Sequence, residues 1–515
     1  MRTKVLGVLL AAIALCATPA NAQNVETLYT AIAQLETSLE QLAANEAGQR
    51  DAQLHALRGE LAQLEQRLAS APPDTSTTEP EFQVLAERLS MLVTALKHYV
   101  EENPRNETAD GSPSPDNRFS VSGQIRHRSE VDGKAVYPDS EALQFHLLRT
   151  RIGVTFQPLD EVDVFIQMQD ARTFGSENPA QGRGTLDGSA DALDFHQAYF
   201  AVRDLFGTPL TLKVGRQELA YGNQRLIGSV GWSNVGRTFN AATASYSADR
   251  ASFDLFTAKL VDSPSRSSSQ NLYGLNSTFD LGGLHLADAF ALIDNNTEKL
   301  QRGADAGKSK LVRYTVGTYL RGASAPIDYE VEAIYQAGTT ALTDSLARAS
   351  IGAYLLSGAL GYTLNQQKNV YDRGLYTRLL VDNDPADGTA RTFNTLFATN
   401  HKFYGYLDYF PKTFTAYGLQ DFALRVGFNP TPAITLNLDL HHFALEQAAP
   451  FTNDEGALLE KRTLGEEIDV TAKVKYNKNF SFVTGASLFL ADDLMQRTLG
   501  KETGFKLYLM TIVNF

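Results

Sequence analysis

Residues 327–336 read Ile-Asp-Tyr-Glu-Val-Glu-Ala-Ile-Tyr-Gln, so that Ile327, Tyr329, Val331, Ala333 and Tyr335 alternate with Asp328, Glu330, Glu332, Ile334 and Gln336. A period of two sends alternate side chains to opposite faces of a strand, one suited to an apolar surrounding and one to a polar surrounding. One such strand fits a soluble sandwich equally well. Here the pattern recurs in Ile434–His441, in Ile468–Tyr476 and in Phe505–Phe515, and polar turns separate its copies from Arg118 to the end. Segments of about ten residues repeated in this way are the sequence form of a membrane-spanning barrel. Eighteen candidates begin near Arg118, Phe145, Glu161, Leu193, Pro209, Arg237, Ser252, Gln270, Leu284, Lys310, Pro326, Ala347, Arg373, Gln420, Ala433, Glu467, Phe480 and Gly504.

The rest of the chain agrees with export. Arg2 and Lys4 precede an apolar core from Val5 to Ala17, and Ala20-Asn21-Ala22 supplies a small-x-small cleavage site before Gln23, so residues 1–22 read as a signal peptide. Cys16 is the single cysteine and falls inside that leader, which excludes a disulfide scaffold and thiol chemistry from the mature chain. No later run reaches the roughly 20 apolar residues of a spanning helix. The expected fold is therefore all-β: a transmembrane antiparallel barrel of about 18 strands over residues 118–515, placed in the bacterial outer membrane because lipid leaves no partner for an open sheet edge.

Residues 23–102 differ in kind. Leu28, Ile32, Leu35, Leu39 and Leu42 are spaced by four and three, as are Leu54, Leu57, Leu61, Leu64 and Leu68, and a third such stretch runs from Phe82 to Tyr99. This is a heptad seam, expected to form a helical coiled coil in the periplasm; a helix packing on its own barrel is the other reading. Residues 103–117, rich in Pro, Ser and Asp, read as a linker. Residues 23–117 hold 16 acids and 6 bases, and the whole chain carries a formal charge of -13, so nucleic acid is not an expected partner.

Parity assigns the lumen. With Leu148, Ile152, Val154 and Phe156 facing lipid, Arg149 and Arg151 project inward, and the same argument places Arg126, Arg128, Arg378, Arg425, Lys473 and Lys475 inside. A base facing lipid at the midplane costs about 2–4 kcal/mol. Asp163, Asp328, Glu330, Glu332, Asp439 and Asp469 point inward too, so two outcomes stand open: a mutually neutralised ladder, or guanidinium groups arranged to take an anionic solute.

Residues 214–241 read VGRQELAYGNQRLIGSVGWSNVGRTFNA, residues 396–410 LFATNHKFYGYLDYF and residues 329–338 YEVEAIYQAG. Taken in chain order they resemble the alginate export family of outer-membrane proteins, whose members carry a Gly-Arg-Gln turn, Tyr-Gly, Arg-Leu, Trp-x-Asn and Arg-x-Phe, then Tyr-x-x-Glu-x-x-Tyr-Gln-x-Gly and Thr-Asn-His-Lys-Phe-Tyr-Gly. The resemblance covers residues 118–515. It implies an 18-stranded barrel with an arginine-lined constriction that passes an anionic polysaccharide, gated by an extracellular and a periplasmic loop, and it adds Arg216, Arg225 and Arg237 to the pore-lining set. Arg216 shares parity with Leu210, Leu212 and Val214, so it reaches the lumen only if Gly215 forms a bulge; otherwise it is a surface arginine. Asn240 stands where the family often has Asp.

The function expected is passive export or diffusion of an alginate-like polysaccharide or oligosaccharide. The alternative is a trimeric anion- or phosphate-selective porin, tied together by the coiled coil. A hydrolase is disfavoured, because no G-x-S-x-G, H-E-x-x-H or paired-Cys motif appears and the histidines are scattered. The sequence implies neither cofactor nor metal. Outer-membrane lipid is the expected surrounding, and a helix in the periplasm would also be placed to touch the cell wall.

Overall fold

A computed structural model describes residues 118–133, 142–174, 194–263, 268–299, 309–341, 348–365, 370–379, 389–410, 417–453, 455–500 and 502–515. The signal peptide, helical segment and linker expected over residues 1–117 lie outside the described residues. One sheet of nineteen strands carries the fold. Its first half comprises β1 (Phe119–Asp132), β2 (Leu143–Leu159), β3 (Val162–Phe174), β4 (Asp194–Val202), β5 (Leu210–Gln217), β6 (Phe239–Ala248), β7 (Ala251–Ser263), β8 (Ser268–Gly282) and β9 (Leu284–Lys299). The second comprises β10 (Ser309–Ser324), β11 (Ile327–Ala341), β12 (Arg348–Asn365), β13 (Val370–Leu379), β14 (Thr389–Ala390), β15 (Leu419–Thr431), β16 (Ile434–Thr452), β17 (Leu458–Lys475), β18 (Phe480–Ala491) and β19 (Thr503–Asn514).

The two-residue β14 lies parallel to β12. The other eighteen strands each pair antiparallel with their neighbours in the chain, β13 reaching past β14 to β15, and β19 pairs with β1 from Gln124↔Asn514 to Asp132↔Lys506. Phe515 continues that seam by exchanging backbone hydrogen bonds with Gly123 at 2.7 and 3.0 Å. Hairpin turns such as 160–161, 249–250, 325–326 and 432–433 join strands at one end; the other end carries the long connections, among them 218–238 and the stretch between β13 and β15.

All but one of the expected strand starts fall within three residues of the observed ones. The exception is β17, expected near Glu467 and found from Leu458. Residues 458–462 show no alternation, yet they continue the ladder because Ala449–Thr452 of β16 extend opposite them.

The surface is inverted relative to a soluble protein. Val121, Leu255 and Leu360 are 64%, 62% and 65% exposed, whereas Arg126 and Asp439 are each 1% exposed. The outward face is thus apolar, and the polar residues of the same strands face the interior. The largest buried apolar cluster also lies inside: Leu219, Leu226 and Ile227 of the 218–238 connection meet Phe403, Tyr404, Leu407 and Phe410, inward residues such as Ile334, Phe443 and Phe489, and Leu494, Met495 and Leu499 of the short helix α1 (Asp493–Leu499). Among the described residues no helix is long and apolar enough to cross a membrane.

Candidate functional site

The interior is organised around two long connections that fold into the sheet rather than away from it. Inner loop one is 218–238, between β5 and β6; inner loop two is 391–410, between β14 and β15. They meet in a parallel bridge, Ile227↔Phe397, with Gly228 N–H donating to Phe397 O at 2.9 Å and Phe397 N–H to Leu226 O at 2.8 Å.

Loop one turns at Gln224 (φ 67°) to aim Arg225 at the β11–β12 side. Arg225 Nε donates to Glu332 Oε2 at 2.5 Å, its Nη2 to Ser357 Oγ at 3.1 Å and its Nη1 to Tyr404 Oη at 3.3 Å, while the guanidinium carbon lies 3.9 Å from the Phe403 ring. Asn223 adds a second donor to Glu332 Oε2 at 3.1 Å. Burial pushes the Tyr404 hydroxyl up to about 12 against the pull of Arg225, so Tyr404 meets the cation as a neutral acceptor. A buried pair of this kind is costly to break from one side, about 3–5 kcal/mol, because the survivor is left as an uncompensated charge.

Further along, three consecutive carbonyls of loop one point at β1 and β2. Arg126 Nη1 donates to Gly231 O at 2.6 Å, and its Nη2 to Ser233 O at 2.9 Å and Trp232 O at 3.2 Å. Arg149 Nη1 reaches Gly231 O and Ser233 O, both at 3.2 Å, and Arg128 Nη1 reaches Trp232 O at 2.7 Å. Arg126 and Arg149 are direct register partners, a like-charge pair across the ladder. Next to them Arg151 Nε donates to Gln169 Oε1 at 2.7 Å and its Nη1 lies 3.4 Å from Glu218. Asn234 ties the same stretch to β2 and β3 through Leu148 O and Arg172 O at 3.2 and 3.0 Å. Val230, immediately before the three carbonyls, has φ 53°, a region a β-branched residue rarely occupies.

Loop two is held by the opposite pole of the backbone. Leu407 N–H donates to Glu467 Oε1 at 2.8 Å and Tyr406 N–H to Asp469 Oδ2 at 3.3 Å. These two acids share the inward faces of β15–β17 with Asp421, Asp439 and His441, all nearly fully buried. His441 Nδ1 lies 2.9 Å from Asp421, and Arg425 Nε 3.3 Å from Asp439. The chain must come close to Glu467, and Gly405 permits it: φ is 76° and a Cβ there would lie 2.5 Å from the carboxylate. Gln336 of β11 fixes the start of the loop by accepting from Asn394 N–H at 2.9 Å and donating to Asn394 O at 2.8 Å.

Trp232 is the joint between the loops and the wall. Its ring stacks on His401 at 4.2 Å, meets Tyr508 edge-on at 4.9 Å, and has Arg128 3.8 Å and Lys506 Nζ 5.0 Å from its centroid. Lys506 also donates to Tyr406 O at 3.2 Å and lies 3.7 Å from both Glu130 and Asp408.

The nine bases expected to line the pore therefore separate. Arg126, Arg149 and Arg151 come together on β1–β2. Arg225 is sealed between loop one and the β11–β12 wall. Arg237 donates to Phe397 O and, at 3.2 Å, to Ala398 O, pinning the loops to each other. Arg425 donates to Lys402 O at 3.3 Å within the acidic region, and Lys473 is buried lower on β17. Arg378 is placed only by its backbone register, opposite Leu356 and Gln420; its side chain lies outside the described part. Arg216 requires a correction. Gly215 has φ 135° but keeps regular register with Tyr199 and Ala241, so no bulge flips the parity. Arg216 stays on the face opposite the fully buried Gln217, with Nε donating to Phe195 O at 2.8 Å and Nη2 3.7 Å from exposed Asp194.

Residues not singled out from sequence are Lys506, Asp421, Glu467 and Gln336. Lys506 alternates inward against Phe505 and Leu507, a signal available in the sequence; Glu467 was hidden by the misplaced start of β17. Among the described residues no group of three ligating side chains is arranged to hold a metal ion.

A model of the alginate export family matches residues 117–507. No curated protein matches the chain by sequence. Among solved structures, a BenF-like porin from Pseudomonas fluorescens Pf-5 aligns with a TM-score of 0.50 at 9% identity, over 78% of this chain and 99% of its own. OccK5 (OpdH) of Pseudomonas aeruginosa aligns at 0.49 and 11% identity, over 77% and 98%. OccAB1 of Acinetobacter baumannii aligns at 0.49 and 10% identity, over 80% and 99%.

Proposed function

The chain belongs to the alginate export family, an outer-membrane β-barrel channel, and from that premise we propose that it carries an anionic oligosaccharide or polysaccharide of the alginate type passively past an arginine-bearing wall. The observation that carries this reading is Arg126 directly opposite Arg149 on the inward faces of β1 and β2, with Arg128 and Arg151 next to them. Like charges directly opposite in a sheet destabilise it. A site that keeps such a pair is suited to a solute whose carboxylates recur along its length, because planar guanidinium donors match both oxygens of each carboxylate. The short hairpin turns belong to the periplasmic end, as in bacterial barrels generally, which sends the long connections, including both inner loops, to the extracellular end.

The test is current through single channels in planar bilayers. A short oligomannuronate is expected to block it reversibly, while a neutral cello-oligosaccharide of the same length leaves it unchanged. Equal indifference to both would reject the uronate.

A second reading, a trimeric anion- or phosphate-selective porin, draws support from the two inner loops, which are bridged to each other at Ile227 and Phe397 inside the sheet. Phosphate competing with oligomannuronate for block would favour it. The expected coiled coil of residues 23–102 belongs to the same proposal. Removing residues 23–100 should leave an insertable barrel but change its oligomeric state, read by cross-linking, and pulldown of cell wall by that segment would test a wall contact.

A further inference from the structure

His127, Ser129, His146, Thr150, Asp170 and Arg172 have the outward parity of β1, β2 and β3, on the face whose other members include Val121, Ile152 and Ile166. They lie together across the ladder: Ser129 is opposite His146, Thr150 is opposite Asp170, and His127 and Arg172 flank Leu148 on its two sides. Their polar groups are joined to one another. Ser129 Oγ lies 2.8 Å from His146 Nδ1, the rings of His127 and His146 stack at 5.6 Å, and Arg172 Nε donates to Asp170 Oδ2 at 2.7 Å. The patch is an island within the apolar wall, not its rim. Ile125, Ile166 and Met168 face outward on its hairpin-turn side, and Val131, Phe174 and, on β19, Leu507 do so toward the long connections.

We propose that this patch is where a second copy of the chain docks, outer wall against outer wall within the membrane. Hydrocarbon offers neither donor nor acceptor to imidazole, hydroxyl, guanidinium or carboxylate, so such a face is stabilised when protein covers it. Charge selects the partner. Asp170 cancels Arg172, which leaves the patch without the net positive charge that would hold the phosphates of a lipid head group. It does carry donors and acceptors side by side, as a self-complementary contact requires: the guanidinium and carboxylate of one copy face the carboxylate and guanidinium of the other. The order of the chain agrees. Residues 1–117 lead into β1, and the heptad seams of residues 23–102, expected to self-associate, are joined to it only by residues 103–117. Copies tied through these segments have β1 and its neighbours turned toward one another. The inference rests on the outer-membrane barrel and not on the solute that passes it, and it gives the oligomer of the second reading its contact face.

The test is photo-cross-linking of the full-length chain in outer membranes, with p-benzoylphenylalanine in place of His127, separately of Thr150, and, as a control, of Leu275 on the outward face of β8. The mass of the adduct identifies what each position touches. His127 and Thr150 are expected to give an adduct with a second copy at a yield several-fold above Leu275, whose adducts are with lipid. Asp170→Leu with Arg172→Leu, which makes the patch apolar, should lower the copy-to-copy yield several-fold while the barrel still migrates as an unheated folded band. His127→Leu with His146→Leu, which spares the ion pair, carries the same expectation and serves where the first variant fails to assemble. Adducts with lipid alone or with a different protein at positions 127 and 150, an equal copy-to-copy yield from Leu275, or a yield that both leucine variants leave unchanged would overturn the contact. Block by oligomannuronate is measured separately, so loss of the contact and loss of the channel reading are told apart.

Discussion

The wall formed by β1 and β2 and the wall formed by β15–β17 solve one problem with opposite charge. Each sets like charges directly across the ladder, Arg126 opposite Arg149 on the first and Asp439 opposite Asp469 on the second. Each then receives an inner loop by the complementary pole of its backbone, carbonyls 231–233 on the arginines and the amides of 406–407 on the acids. A peptide backbone carries both poles on every residue, so each loop adds hydrogen bonds to a buried charged cluster beside the opposite charges already in it, Glu130 at 2.5 Å from Arg128 on the first wall and Arg425 at 3.3 Å from Asp439 on the second. The difference is in the pole each loop presents: acceptors to the arginine wall and donors to the acid wall.

The largest effect is expected from the clamp that serves both walls. Glu332→Leu leaves Arg225 buried without its carboxylate, at about 3–5 kcal/mol, and should loosen both loops. Single-channel conductance is expected to rise several-fold while the barrel still assembles; an unchanged conductance would show that the walls hold the loops without the clamp. Next come the walls themselves. Arg126→Gln with Arg149→Gln should carry selectivity away from anions, and Asp439→Asn with Asp469→Asn should carry it toward them; movement in the same direction for both pairs would show that the two walls do not act with opposite sign. Gly405→Ala places a methyl against the Glu467 carboxylate at a positive φ, a strain of about 1–3 kcal/mol, and should speed proteolysis within 391–410 while leaving 218–238 as resistant as before. Arg216→Gln is expected to change neither selectivity nor conductance, because that side chain lies outside both walls.

The barrel was legible because lipid imposes a strict period of two. Wherever a strand faces hydrocarbon, its start could be placed closely, and β17 was misjudged only where it runs on over residues 458–462, which show no alternation. Parity likewise brought out Arg126, Arg149, Arg425 and Asp469 as inward residues. It could not reveal what those residues touch, since the inner loops have no period: Arg225 and Arg237 were marked by resemblance, yet nothing local says that one meets Glu332 and the other Phe397. The density of aromatics from Phe397 to Phe410 was a usable signal. Six rings in fourteen residues without alternation suit neither a strand nor a hydrated loop, and most of them end in the buried interior cluster. Arg216 was marked by resemblance, its inward placement depending on a bulge at Gly215, and the ladder absorbs that glycine at φ 135° without a change of register.

The proposed function requires that the β1–β2 arginines set the sign of the charge this channel admits. The most direct measurement is the reversal potential of the unmodified full-length channel across a potassium chloride gradient in a planar bilayer. Preference for chloride over potassium is expected, reduced when oligomannuronate is added. A preference for potassium, unaffected by oligomannuronate, would contradict it.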